Sequence, residues 1–446
     1  PERERALALA QPTAVCFAPD GARLFVAAFA SDRIAVLDRD GAVTARLELA
    51  PDPAHRDPRA MRGPRALAHH PSAPVLYVLN RLAGTVAAID TATLAVASEV
   101  SIGADPTPRW LAEGRGFVQS AWLSGTGLAA CGSCHLDGDW DGLAWDLGDP
   151  HGAMATVPNK SLYPLRMHPM KGPMKTQSLR GLTPDAGPFH HRGDRPSLRD
   201  FNASFDTLLG GTPLAEPDLT TAVRYLQSLR YPPNPHRALE DHEDERGGAL
   251  FVQPFQGAAS CKTCHFGAAG TSGLIMSGHL LQYQPQPMKV GQLRDAYKRT
   301  ARIAENGRRR GGFGLLHDGS IDRVASFLAR PFFRGFAHSP EARAGLERTV
   351  LAFDTGTPPA VGWAMTVASP DDARLAELEI VEQLARSGRC ELVAFGRTGG
   401  AARRWTFDAE TARYRGDGRD AMRSELLAEL DPADGDAITF LGRPSF

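Results

Sequence analysis

The residues of this sequence best suited to chemistry are Cys131-Gly132-Ser133-Cys134-His135 and Cys261-Lys262-Thr263-Cys264-His265. Cys-x-x-Cys-His is the attachment signature of a c-type haem. The two thiols add across two vinyl groups to give thioethers, and the adjoining imidazole reaches the iron as proximal ligand. Four of the six cysteines are used in this way. Rival readings explain less. A four-thiolate zinc site made from the two Cys-x-x-Cys pairs leaves both following histidines without a task, because tetrahedral zinc gains nothing from a His beside the second Cys. A thioredoxin-like pair needs a βαβ setting that neither motif has. The expectation is two covalently bound haem c groups held by Cys131, Cys134, Cys261 and Cys264, with His135 and His265 as proximal iron ligands.

The sixth position at each iron then decides the chemistry. A filled position gives electron transfer, and an open one admits peroxide or another small ligand. Met174 and Met288 stand at equivalent places after the two motifs and offer thioethers. His190 and His317 are paired in the same way, 55 and 52 residues beyond their proximal histidines. Each precedes a Gly turn and suits either distal ligation or a hydrogen-bonding role. Directly after the first motif, Asp137-Gly138-Asp139-Trp140-Asp141-Gly142 matches the opening of an EF-hand loop, which makes calcium a second candidate cofactor. Gly148 stands where the bidentate Glu belongs, and a tight turn against the haem edge competes with that reading.

The elements that position these residues are read from repeats. Pro12, Phe25, Val26, Ile34, Val36 and Asp38 recur as Pro64, Tyr77, Val78, Val86, Ala88 and Asp90 at an offset of 52. Short alternating apolar runs between turn residues give about four strands per copy, the pattern of propeller blades. A third copy is expected to begin at Pro108-Arg109-Trp110 and to break off after Val118, leaving an incomplete antiparallel β-propeller over residues 1–118. A second repeat covers 170–235 and 285–360. In it Pro173-Met174-Lys175 and Leu179-Arg180 answer Pro287-Met288-Lys289 and Leu293-Arg294, and each copy runs into amphipathic sequence. The expected architecture is multidomain, with mainly α, tandem c-type cytochrome domains at 119–240 and 241–360. A small α+β segment comes after them at 361–446, with a helix ending at Gly388. Tyr231–Pro235 and the acidic stretch Glu240–Glu245 read as the linker between the cytochrome units. Arg308-Arg309-Arg310 reads as a solvated loop or a docking patch. Cys16 and Cys390 are left over and read as buried free thiols in preference to a disulfide.

Composition bounds the rest. Lys and Arg number 50 against 51 Asp and Glu, so nothing points to nucleic acid. No run of about 20 apolar residues is present, so no transmembrane helix is expected. Covalent haem attachment implies a periplasmic or otherwise extracytoplasmic location, with the targeting segment absent from this numbering.

LFVAAFASDRIAVLD and LYVLNRLAGTVAAID resemble the YVTN-type β-propeller repeat. The Cys-x-x-Cys-His pair, the Leu-Arg element and His317-Asp318-Gly319-Ser320 resemble the bacterial di-haem cytochrome c peroxidase superfamily, which includes the enzyme that matures methylamine dehydrogenase. GLAWDLGDP, TQSLRGL, HRGDR, YPPNP and GFGLLHDGS are similar to a branch in which the haem part comes after a propeller. This resemblance implies a di-haem redox enzyme in which one haem relays electrons and the other reacts with hydrogen peroxide or a partner. A small cytochrome or cupredoxin is the implied redox partner. It also makes His151 a distal candidate at the first haem and places Glu216 near the family's catalytic carboxylate, beside His190 and His317 as catalytic candidates. The chain departs from the family at Pro331, where the peroxidases carry a ligating Met. The alternative is an electron-transfer protein with both irons six-coordinate and the propeller as a binding module.

Overall fold

The computed structural model describes residues 2–103, 107–160, 162–239, 245–254, 259–277, 286–300, 302–303, 309–310, 313–333, 339–416 and 418–445. Its contacts divide the chain into Pro1–Leu229 and Arg230–Phe446. Arg308 and most of the acidic stretch at 240–245 lie outside the described residues.

In the first unit a short helix, α1 (Glu2–Leu7), precedes two four-stranded antiparallel sheets. One contains β1 (Pro12–Phe17), β2 (Leu24–Ala28), β3 (Arg33–Leu37) and β4 (Val43–Glu48). The other contains β5 (Pro64–His69), β6 (Val75–Asn80), β7 (Thr85–Asp90) and β8 (Ala95–Ser101). The repeat seen in the sequence extends to irregularities of register. A bulge at Pro12/Ala14 in β1 returns at Pro64/Ala66 in β5. A second at Val36/Leu37 returns at Ala88/Ile89. Strand alternation turns Phe25, Ala27, Ile34 and Val36 of one sheet toward Leu76, Val78, Ala87 and Ile89 of the other, and they form one core. Asp32, left-handed at φ 57°, ties the sheets by accepting the N–H groups of Arg62 and Gly63.

The expected third blade is not a blade. Residues Arg109–Gln119 form helix α2, which packs on the Pro58–Ala60 turn and on a later helix, α5 (Glu216–Ser228). Gly114 and Gly116 explain the change. A Cβ at Gly116 would lie 1.7 Å from the Pro58 carbonyl oxygen, and one at Gly114 would lie 2.3 Å from Tyr225 Cβ. Close approach on both sides selects a helix with bare faces, and tertiary packing overrides the weak local preference.

The remainder of this unit holds the one-turn helix α3 (Cys131–Cys134), then β9 (Ala144–Trp145), β10 (Ala155–Asn159), β11 (Leu162–Met167) and β12 (Met174–Lys175). Helices α4 (Ser204–Thr207) and α5 (Glu216–Ser228) complete it. In the second unit α6 (Glu245–Val252), α7 (Cys261–Cys264), β13 (Ile275–Met276), β14 (Met288–Lys289) and α8 (Ala296–Arg299) precede the short pair β15 (Arg302–Ile303) and β16 (Arg309–Arg310). Helices α9 (Val324–Leu328) and α10 (Pro340–Leu351) come next. Tyr231 and Asn234 are not linker residues: both are buried, and Asn234 Nδ2 donates to the carbonyls of Leu351 and Phe353 at the end of α10.

The expectation of mainly α cytochrome domains is overturned. The chain is 28% helix and 26% strand. Among the described residues between 119 and 360, only α5, α6 and α10 reach eight residues. The amphipathic stretch at Ser197 breaks into a 3-10 segment and one-turn α4, and the one at Asp322 stops after the five-residue α9 and a 3-10 turn starting at Pro331. Forty-five Gly and 34 Pro supply the breaks.

After this, β17 (Ala364–Val367), α11 (Leu375–Arg386), β18 (Glu391–Thr398), β19 (Ala401–Asp408), β20 (Arg413–Gly416), β21 (Arg419–Ala421), α12 (Arg423–Leu427) and β22 (Ala437–Arg443) fold around one core. The six strands form an antiparallel sheet in the order β17-β22-β18-β19-β20-β21.

Candidate functional site

Each Cys-x-x-Cys-His motif forms a single helical turn with its histidine just past the end. The turn is capped from inside the motif. Ala130 N–H donates to Ser133 Oγ at 3.0 Å, and Ser260 N–H donates to Thr263 Oγ1 at 2.9 Å. The variable residues of the motif therefore hold the turn that sets the two thiols on one side. His135 N–H and His265 N–H each donate to the carbonyl of the first cysteine, at 3.0 and 2.8 Å.

The imidazoles are fixed in the same manner. His135 Nδ1 bonds the Gln177 carbonyl at 2.7 Å, and His265 Nδ1 bonds the Gly270 carbonyl at 2.8 Å. A carbonyl only accepts, so each Nδ1 carries the proton and each Nε2 keeps its lone pair for a metal. Burial lowers the pKa of both rings, which favours the neutral, ligating form. Burial raises all four motif thiols, Cys131 and Cys261 to about 11, so they stand as neutral thiols and none is in a disulfide.

The Leu-Arg element has a clear task in both units. Leu179 N–H donates to the Gly138 carbonyl and Leu293 N–H to the Ala269 carbonyl, at 2.9 and 3.2 Å. The neighbouring guanidiniums donate to the same loops: Arg180 to the Asp137 carbonyl at 2.8 Å and Arg294 to the Ala268 carbonyl at 3.1 Å. Both clamp the chain just beyond the motif histidine.

The other candidates fall in different places. Met174 pairs with Trp145 in the β9/β12 ladder, and Met288 pairs with Met276 in the β13/β14 ladder; both methionines are half-buried. Gln177, the partner of His135, lies three residues beyond Met174, so this segment backs the His135 imidazole. His151 is exposed in a turn, its N–H bonded to Asp149. Glu216 is the first residue of α5; its side chain is 72% exposed and pairs with Arg199. It is a carboxylate at a helix start, favoured there by the helix dipole. Calcium does not fit. Asp137 pairs with Arg65 and Arg81, Asp139 with Arg180 and Ser178, and Asp141 accepts from Trp145 Nε1, so the three carboxylates are turned to different partners. Among the described residues no three His, Cys, Asp or Glu side chains converge as a metal site.

The pairing of His190 with His317 is corrected by the backbone. Phe189 bridges Arg195, and Leu315 bridges Ile321. Within these equal turns, His190 (φ 68°) matches Leu316 (φ 65°), and Gly193 (φ 65°) matches Gly319 (φ 74°). His317 therefore answers His191, a residue the spacing passed over because one residue more separates it from its motif. His191 Nε2 bonds the Lys175 carbonyl at 2.9 Å and fastens the turn to β12. His190 Nδ1 donates to Asp194 Oδ1 at 2.9 Å, and Phe201 meets its ring edge-on at 4.7 Å. Burial alone would raise the Asp194 pKa, but the His190 hydrogen bond and the charges of His190, Lys171 and Arg195 bring it to about 2.

Comparison with known proteins adds the class of one part. Residues 6–113 match the family model described as lactonase, 7-bladed β-propeller. The two sheets are thus blades of a β-propeller. Among solved structures, hydrazine synthase from Kuenenia stuttgartiensis, pressurised with xenon, is 16% identical with a TM-score of 0.43, covering 58% of this chain and 99% of that one. A further structure of hydrazine synthase from the same organism is 24% identical with a TM-score of 0.18, covering 21% of this chain and 24% of that one. A 6-phosphogluconolactonase assigned in Bacteroides uniformis is 23% identical with a TM-score of 0.17, covering 22% and 27%. The chain thus spans about a quarter of the length of the latter two. No curated protein matches it.

Proposed function

We propose that this protein is an extracytoplasmic di-haem redox protein of the peroxidase and maturation type, carrying one covalent haem c on each Cys-x-x-Cys-His motif. One observation supports this above others. Each motif is a capped helical turn whose histidine has Nδ1 bound to a main-chain carbonyl and Nε2 left for a metal. A zinc reading of the two Cys-x-x-Cys pairs gives those two histidines nothing to do.

The residues divide the work between attachment, ligation and support. Each thiol adds across a vinyl double bond: a carbon–sulfur bond forms, the thiol proton passes to the outer vinyl carbon, and no electrons are exchanged with solution. His135 and His265 supply the proximal nitrogens, and Arg180 and Arg294 hold the loops behind them. A c-type haem supplies one-electron redox chemistry and, where a face is open, a place for peroxide. Reducing hydrogen peroxide to two waters consumes two electrons and two protons. The electrons are assigned to a small cytochrome or cupredoxin, in keeping with the motif resemblance to the di-haem peroxidases.

Pyridine haemochrome spectra and intact mass test the reading. Two covalent haems per chain are expected, falling to one in Cys131→Ala/Cys134→Ala and to one in Cys261→Ala/Cys264→Ala. Fewer than two in the wild type defeats it. Two low-spin haems that remain so on half-reduction, with no peroxide turnover, would leave electron carriage as the function.

A further inference from the structure

The two blades carry on their outer sides the same two faces that they press together between them. In the shared core the first blade contributes Phe25, Ala27, Ile34 and Val36, and the second contributes Leu76, Val78, Ala87 and Ile89. Moving the first set on by the repeat offset of 52 gives Tyr77, Leu79, Val86 and Ala88, which alternation turns to the far side of the second blade. Moving the second set back gives Leu24, Val26, Ala35 and Leu37, on the far side of the first blade. The stack is therefore head-to-tail. Each kind of face occurs twice, once inside the stack and once outside it.

Exposure separates the inner copies from the outer ones. Leu47, opposite Ile34 in the ladder, is 8% exposed, whereas Val100, opposite Val86 in the same way, is 61% exposed. On the first blade Val15 and Phe17 are 64% and 66% exposed. Their counterparts in the second blade are seated: Leu67 packs against the core, and the His69 ring meets that of Phe25 at 6.2 Å. Helix α1 lies over one end of the first blade's outer face, where Arg46 Nε donates to the Leu7 carbonyl, and leaves Val15 and Phe17 in solvent. Apolar rows of this kind, whose twins exclude water, mark a contact surface.

We propose that a second copy of this chain stacks on the first, the Phe17 face of one copy against the Val100 face of the next, repeating between chains the contact made within one. A second copy fits because it brings the complement of each open face, and that complementarity is the one seen between the two blades. Such a contact is heterologous, with two different surfaces used by each chain, so association continues past two copies unless a ring closes.

Sedimentation velocity on the purified full chain tests this. The wild type should sediment as dimers and larger species in a proportion that rises with concentration. Phe17→Lys and Val100→Lys each set a charge on one face at an exposed position, and each variant alone should sediment as a monomer. Their equimolar mixture should give a dimer and nothing larger, because only one intact face of each kind remains. Circular dichroism like that of the wild type shows that the variants fold; where one does not, Val15→Lys or Tyr77→Lys replaces it on the same face. A wild type that is monomeric at every concentration overturns the inference, as it would if blades of a different protein cover these faces. Assembly that survives either substitution overturns it too, as does a mixture that stays monomeric.

Discussion

The capping hydroxyls of Ser133 and Thr263 show how little sequence is needed to shape a one-turn helix. Each accepts the N–H of the residue preceding its motif, a bond typically worth about 1 kcal/mol. Ser133→Ala should lower the yield of haem at the first motif with the second unchanged, as read by haem-stained peptides after digestion. Much at this scale was legible: the Cys and His types with their spacing define both motifs without any structure. The distinction between His190 and His191 was not, because linear spacing carries no information on which residue of a turn takes the left-handed conformation. Nor does the sequence announce that Glu216 begins a helix with its side chain exposed and paired with Arg199.

Elements show where local signals compete with packing. Blade strands were readable because alternation and turn residues agree with the fold at every level. Helix α2 was not, since its glycines answer to neighbours distant in sequence. Gly116→Ala should cost about 3 kcal/mol, near the upper end for overpacking, because the clash is with backbone that cannot rotate away. Thermal unfolding would check it: Tm should fall by several degrees. The second blade offers a pH test. Arg62 donates to Glu99 on β8 through Nε and Nη2, at 3.1 and 2.7 Å, and Thr85 donates at 2.5 Å. Burial would raise this carboxyl, but the bonds from Arg62 and Thr85 prevail and hold it below its ordinary 4.5. A folded-state pKa below the unfolded one gives stability that is fully present above about pH 4.5 and is lost as pH falls through the folded value. Glu99→Gln should therefore cost about 1–2 kcal/mol at pH 7, and urea titrations should show the difference from wild type shrinking in acid.

For the whole molecule, the thiols offer a census. Of six cysteines, four lie in the motifs, Cys390 is buried with its pKa pushed up to about 11, and Cys16 is half-exposed on β1. With both haems attached, maleimide should label Cys16 in the native protein and both Cys16 and Cys390 after unfolding in guanidinium; six labels would mean no attachment at all. Among the described residues no helix is long and apolar enough to cross a membrane. The whole-chain reading of the sequence was correct about blades and wrong about the helical character of residues 119–360. Repeat detection finds equivalence between segments but not their secondary structure when glycine and proline interrupt the pattern every few residues.

The partners of His135 and His265 are carbonyls of the main chain, at Gln177 and Gly270. A side-chain acceptor can be deleted by a single codon change; a peptide oxygen is present whatever residue is encoded there. The seating of each motif histidine therefore does not depend on which side chain stands at position 177 or 270, and two stretches of different sequence orient their rings by the same means.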